Sequence, residues 1–257
     1  MIKITNTNDP RIAYYKNLRY TPATHTEDNI FVTEGEKVTL TLLESDLEII
    51  SIFAQPRFYE DHADLIAAKK IPEEMLLSAD RAFMKEVVGF RLHSGMMAVG
   101  RQPAPATLDD LRNRIVVMNG IINSENVGAI VRNCAAFGVD SIICDRQTSS
   151  PFLRRAVRVS MGSVMSQKIY ITANLPATLN ELRDRLGYAI ISAELTDDAI
   201  PLKEYNFPEK HCIIFGSEGP GVDQEILNLS DVVVFIPISE KVASLNVGAA
   251  AAVVLSV

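Results

Sequence analysis

The 257-residue chain has no tryptophan, only three cysteines and four histidines, and no surplus of positive charge: 32 acidic against 25 basic residues leave it at −7 near neutral pH. Each shortage excludes something. Cys134, Cys144 and Cys212 are odd in number, show no CxxC spacing and sit among apolar neighbours, so they read as reduced core thiols. With so few histidines and no clustered ligands, no metal is expected. The acidic balance argues against a protein held on nucleic acid by bulk charge, although a local basic patch suffices to grip RNA. Met1 to Asn6 lacks the apolar core of a signal peptide, and no apolar run reaches membrane-spanning length. A soluble, cytoplasmic protein with no membrane partner is expected.

The length suits one large or two ordinary domains. Ile12, Tyr15 and Leu18 have helical spacing, predicting an amphipathic helix between Asp9 and Tyr20. Strands are predicted at Ile30–Val32, Leu47–Phe53, Met75–Ser78 and Met96–Val99. Helices are predicted through Val38–Leu43, over Ala63–Ala68 and over Arg81–Val88, the last capped by Ser78 and Asp80. Gly100 to Thr107, with two prolines among small residues, breaks regular structure and places a boundary between a domain at 1–104 and one at 107–257.

The second domain opens with a helix at Leu108–Arg112 and a strand at Ile115–Met118. A helical run follows from Val127 to Phe137, stopped by Gly138, and then a strand at Ser141–Cys144. Strand, helix and strand within about thirty residues make a βαβ unit and imply a parallel sheet. Further strands at Lys168–Ile171, Tyr188–Ser192, Cys212–Phe215 and Val232–Ile236, and a helix at Leu179–Leu186, give an α/β fold. These strands are apolar throughout, as when helices cover both faces.

Three stretches carry candidate chemistry. Asn126 and Arg132 share one helix, where Arg132 is the only charge between Glu125 and Asp140; it is either a surface residue with its stem along the core or a cation awaiting a ligand. Phe215 to Gly221 follows a strand with three glycines, which fits a tight loop or a close ligand approach. It is neither GxGxxG nor a P-loop, so a dinucleotide-binding oxidoreductase is poorly supported. In the closing segment Ser244 and Asn246 flank Leu245 before an Ala-rich helix, where Ser244 reads as a helix start or a ligand contact. Together these place Asn126, Arg132, Glu218, Ser244 and Asn246 at carboxyl ends of parallel strands, where such sheets bind ligands.

The set resembles the SpoU/TrmH family of SPOUT RNA methyltransferases. The resemblance runs through Asn126 to Arg132 with Phe137-Gly138, through Gly216 to Gly221, and through Ile236-Pro237-Ile238 followed by Ser244 to Val247; Arg158 to Gly162 supports it. It covers about 113 to the end. Residues 1 to 104 resemble the family's smaller RNA substrate-binding domain, anchored by Phe31 to Lys37. Ser124-Glu125 stands where the family often has Asp-Pro.

The resemblance implies a trefoil-knotted parallel-sheet domain that transfers methyl from S-adenosylmethionine to a ribose 2′-hydroxyl of structured RNA, ribosomal or transfer. It implies cofactor contacts at Gly216, Glu218, Gly219, Ile236, Ile238 and Leu245, with glycine at 216 letting the ligand reach the main chain. Arg132 would activate the hydroxyl or stabilise the alkoxide, with Asn126, Glu218, Ser244 and Asn246 orienting the groups. Arg154, Arg155 and Arg158 offer charge for RNA phosphate, or form a solvated basic face. A homodimer through the knotted domain is also implied. The competing reading is a non-catalytic RNA-binding relative, which would not need all five polar residues.

Overall fold

The computed structural model describes every residue except Thr21 and His93. The first hundred residues run β1 (Ile2–Lys3), α1 (Ala23–Glu27), β2 (Ile30–Glu34), α2 (Glu36–Glu44), β3 (Ile49–Ala54), α3 (Pro56–Asp61), α4 (Ala63–Ala68), β4 (Leu76–Ser78), α5 (Arg81–Val88) and β5 (Met96–Arg101). The rest run β6 (Arg114–Asn119), α6 (Ser124–Ala136), β7 (Ser141–Cys144), α7 (Arg154–Val159), β8 (Lys168–Ile171), α8 (Leu175–Asp184), β9 (Ala189–Ala193), β10 (Ile200–Pro201), β11 (His211–Gly216), α9 (Gln224–Leu229), β12 (Val232–Phe235) and α10 (Val247–Leu255).

Two units form. One comprises Met1–Pro103 together with Phe152–Met165, and the other Ala104–Pro151 and Ser166–Val257. The first is built on a five-stranded sheet ordered β1-β4-β3-β5-β2, in which β5 runs antiparallel to both its neighbours. Its core gathers Ile12, Tyr15, Phe53, Leu77 and Met84, all fully buried. Tyr15 reaches that depth because its hydroxyl hydrogen-bonds Ser51, 2.8 Å from Oγ and donating to the carbonyl at 3.1 Å. Segment 152–165 joins this unit through Phe152, whose ring lies 5.8 Å from that of Phe31.

The second unit carries a seven-stranded sheet, wholly parallel, ordered β10-β12-β9-β11-β6-β7-β8. Its strands β6, β7 and β11 are buried on both faces apart from Arg114, the physical reason that their interiors, Ile115–Met118, Ile142–Cys144 and Cys212–Phe215, are apolar runs. Helix α6 stops where a Schellman motif forms: Val139 N–H donates to Cys134 O at 2.8 Å around left-handed Gly138 at φ +71°.

Four local expectations change. The segment from Asp9 is a 3₁₀ turn, Pro10–Tyr15, which suits the three-residue spacing of Ile12 and Tyr15. Leu108–Arg112 is likewise a 3₁₀ turn, Leu108–Asp110, closed by a Thr107–Asp110 capping box. Asp80 alone caps α5, since the Ser78 hydroxyl donates to Ile2 O instead. The closing helix begins at Val247 with Asn246, not Ser244, as its cap. Among the described residues no helix is long and apolar enough to cross a membrane.

Candidate active site

Strands β6 and β11 are neighbours in the middle of the second sheet, and their last residues, Asn119 and Gly216, pair directly. The two chains therefore leave the sheet side by side at its carboxyl edge, where backbone groups are free for loops and ligands. From β6 the chain turns at Gly120 (φ +66°) and enters α6, whose first N–H groups are met by Asn123 Oδ1 accepting from Glu125 N–H at 2.8 Å. Asn126 follows within the first turn and is buried. From β11 the chain folds back on itself: Ser217 and Gly221 exchange backbone hydrogen bonds of 3.1 and 3.0 Å, with Gly219 at φ +99° and Gly221 at +76°.

The closing segment meets both loops at one side chain. Asn246 Nδ2 donates to Asn126 Oδ1 at 3.0 Å and to Glu218 Oε1 at 2.7 Å, while its Oδ1 accepts from Gly248 N–H at 3.0 Å. One amide thus caps α10 and ties together three of the five candidate catalytic residues. Arg132, further along α6, is exposed and makes no hydrogen bond or ion pair among the described residues. The cation that sequence reading left between two roles is free. Ser244 is exposed and likewise makes no hydrogen bond among the described residues, so the structure does not bring it into the Asn126–Asn246–Glu218 chain.

The residues expected to hold a cofactor line the same loops. Gly219 needs its hydrogen because its φ is positive, with open space around it. Gly216 needs it for a different reason from the one expected. A Cβ there would lie 2.1 Å from Gly221 C and from Val222 N, so its own loop already requires glycine at 216. Ile236 is half-buried after β12, whereas Ile238 and Leu245 are 39% and 38% exposed, and the backbone N–H groups of these last two make no hydrogen bond among the described residues. Apolar side chains beside free backbone donors suit a ligand that is flat, apolar on its faces and polar at its rim.

A family model described as the SpoU rRNA Methylase family matches residues 113–256. The chain belongs to that family. A tRNA/rRNA methyltransferase of Mycobacterium tuberculosis, itself named uncharacterized, is 30% identical over 97% of this chain and 88% of its own length. The 23S rRNA (guanosine-2′-O-)-methyltransferase RlmB of Acinetobacter baylyi is 27% identical over 69% of this chain and 75% of its own. The fold is shared with the AdoMet-bound rRNA methyltransferase of Sinorhizobium meliloti, at 19% identity, with a TM-score of 0.83 and coverage of 98% and 95%.

In this SpoU chain the basic cluster is not a free patch. Arg154 pairs with buried Glu34, its guanidinium sits 4.3 Å over the Phe90 ring, and its side chain is 11% exposed. Burial pulls its pKa below the usual guanidinium value while Glu34 opposes that pull. Arg154, expected to meet RNA phosphate, is thus held inside the first unit by Glu34 and Phe90. Arg158 lies 3.7 Å from the same carboxylate and is part exposed, and Arg155 is exposed with no partner among the described residues. The three thiols are unpaired and buried; burial pushes Cys134 and Cys212 up to about 12 and Cys144 higher still, which leaves them unreactive.

Sequence reading missed the residues that hold the site's loops. Glu194, just past β9, accepts Val222 N–H at 3.0 Å, and Asn133 Nδ2 donates to Gly248 O at 2.6 Å to fasten α10 against α6. Asn119, Asp145 and Asp223 form a further polar cluster at the same edge. The available signal was positional: Asn119 and Asp145 are the first polar residues after apolar strands of a parallel sheet.

Proposed function

We propose that this chain is an S-adenosylmethionine-dependent RNA 2′-O-ribose methyltransferase acting on ribosomal or transfer RNA. The observation that carries the reading is the Asn246 amide, which joins Asn126 and Glu218 within one hydrogen-bonded chain on the loops where α/β sheets bind ligands. The names of two relatives point the same way: RlmB is a guanosine 2′-O-methyltransferase, and the Sinorhizobium enzyme is described with AdoMet bound.

S-adenosylmethionine supplies an electrophilic methyl group on a sulfonium. Ile238 and Leu245, with their free backbone donors, would hold its adenine, and Glu218 and Gly219 would line the remainder of the site. The acceptor is a ribose 2′-hydroxyl, a weak acid, so the site must align the oxygen and favour its loss of a proton. Arg132 does the second as a permanent cation beside the developing alkoxide; guanidinium keeps its own proton, so the hydroxyl proton leaves to solvent. Asn126 and Asn246 orient the ribose, and Ser244, with a free hydroxyl, assists from the closing loop. With the cofactor bound, the carbon–oxygen bond would form as its carbon–sulfur bond breaks, leaving a neutral thioether. A homodimer through the second unit belongs to the proposal, supported by the exposed Phe137 at the end of α6 and Val253 on α10.

The test incubates the protein with isotopically methyl-labelled S-adenosylmethionine and separate ribosomal and transfer RNA pools, then identifies labelled nucleosides after nuclease digestion. Label is expected on ribose. Arg132→Ala is expected to lower turnover at least about 100-fold while cofactor affinity stays within a few-fold. Label on a base would overturn the 2′-O assignment, and RNA binding without any transfer would return the binding-only reading.

A further inference from the structure

The partners of Asn246 sit on the turn after β11 and in the first turn of α6, just past the turn that leaves β6, and those turns hold their groups in place only if something rigid holds them. Asn119 is the residue that does so. It closes β6 opposite Gly216, is 3% exposed, and uses its side chain almost completely. Its Nδ2 donates to Asp145 Oδ2 and to Asp223 Oδ2, each at 2.9 Å, and its Oδ1 accepts from Asp223 N–H at 2.8 Å. Only one orientation of the amide fits, since two carboxylates need donors and a backbone N–H needs an acceptor.

Each bond holds a different loop. The Asp223 pair anchors the end of the Gly216–Val222 turn that carries Glu218. The Asp145 bond reaches the β6–α6 turn, because the same Oδ2 accepts from Gly120 N–H at 2.9 Å. Asp145 is itself fixed by Thr148, whose N–H and Oγ1 both donate to Oδ1 at 2.8 Å, and Thr148 Oγ1 in turn accepts from Ile121 N–H at 3.2 Å. Gly120 also brings the two turns together, since a Cβ built there would lie 3.8 Å from Ser217 Cβ.

We propose that Asn119 is a positioning residue for methyl transfer: its single buried amide sets the turn bearing Glu218 against the turn leading to Asn126, and so fixes the geometry that Asn246 reads. Asparagine is required there. Aspartate would face two carboxylates with no donor, and alanine would leave both turns without a common reference. The inference rests on the proposed reading of the Asn126–Asn246–Glu218 chain as the reaction site.

The experiment is a double-mutant cycle in kcat/KM for methyl transfer to RNA, on full-length protein. Asn119→Ala is expected to cost about 30-fold, the scale of a sub-ångström displacement of reacting groups. In a Glu218→Ala background the same change is expected to cost less than about three-fold, because the group it positions is already gone. Asp223→Ala removes only the exposed carboxylate half of the clamp and leaves the buried cluster intact, so it reports even where Asn119→Ala folds poorly. It is expected to cost about five-fold, and again to lose that effect without Glu218. Losses that multiply in both cycles, with an active wild type, overturn the positioning role alone. A wild type that methylates no RNA removes the reading beneath it.

Discussion

Gly216 and Gly219 stand three residues apart and need glycine for unlike reasons, which separates two kinds of mutational effect. At Gly216 the space for a Cβ is taken by the backbone of Gly221 and Val222, and backbone moves only if the whole turn opens. Gly216→Ala is therefore expected to destabilise the second unit by about 1–3 kcal/mol and to lose ligand binding as a secondary effect. At Gly219 the space is open and only φ is unusual, so Gly219→Ala is expected to cost about 1 kcal/mol. Urea midpoints of the two variants check the pair; equal midpoints would contradict the assignment. By the same reasoning Gly216→Val breaks the loop whether or not a ligand binds, so it is no probe of a cofactor pocket. Arg154 carries a similar lesson: a run of arginines in sequence does not say which one a buried carboxylate has already claimed.

Helices α6 and α10 show what their sequences made legible. Apolar runs and Gly138 marked α6, and the small-residue stretch marked α10. The cap of α10 was misplaced by two residues because Ser244 and Asn246 are both good caps, and only the Gly248 N–H decides between them. Asn126, Glu218 and Asn246 were legible as candidate site residues because polar groups at strand ends in a parallel sheet are conspicuous. Their common hydrogen-bonded chain was not, since it joins positions 120 residues apart. Segment 152–165 was likewise unreadable as part of the first unit, because its partners Phe31 and Glu34 lie far back in the chain. Gly248 supplies the element-scale prediction. A Cβ there would lie 2.8 Å from Ala129 Cβ, so Gly248→Val should force α10 off α6, cost about 1–3 kcal/mol, and disturb the Asn246 cap it donates to. Methyl transfer should fall further than the urea midpoint alone would explain; wild-type values for both would show that the helices do not need this close approach.

Among the described residues each unit contains one buried histidine, His25 in the first and His211 in the second, and burial lowers both below the ordinary value. The unfolded chain then takes up protons near pH 6.5 that the folded chain refuses, so stability is full above that pH and falls as pH drops through it. Urea midpoints should decline between pH 7.5 and 5.5, and replacing both histidines with glutamine should flatten the slope; an unchanged slope would assign the decline to other groups. The first unit is also discontinuous in sequence. A fragment of residues 1–103 lacks Phe152 and Arg154, leaves Glu34 buried without a cation, and is expected to lose hydrogen-exchange protection that the same residues have in the whole chain. Equal protection would mean that the segment is dispensable. The discontinuity also bears on synthesis. A nascent chain that has emerged as far as Pro103 still lacks part of that unit's core until Met165 follows, roughly 60 residues later. At about 5–20 residues per second, the ribosome imposes a wait of several seconds in which Phe31 and Glu34 face whatever is nearby, so chaperones that bind exposed apolar surface have their window here.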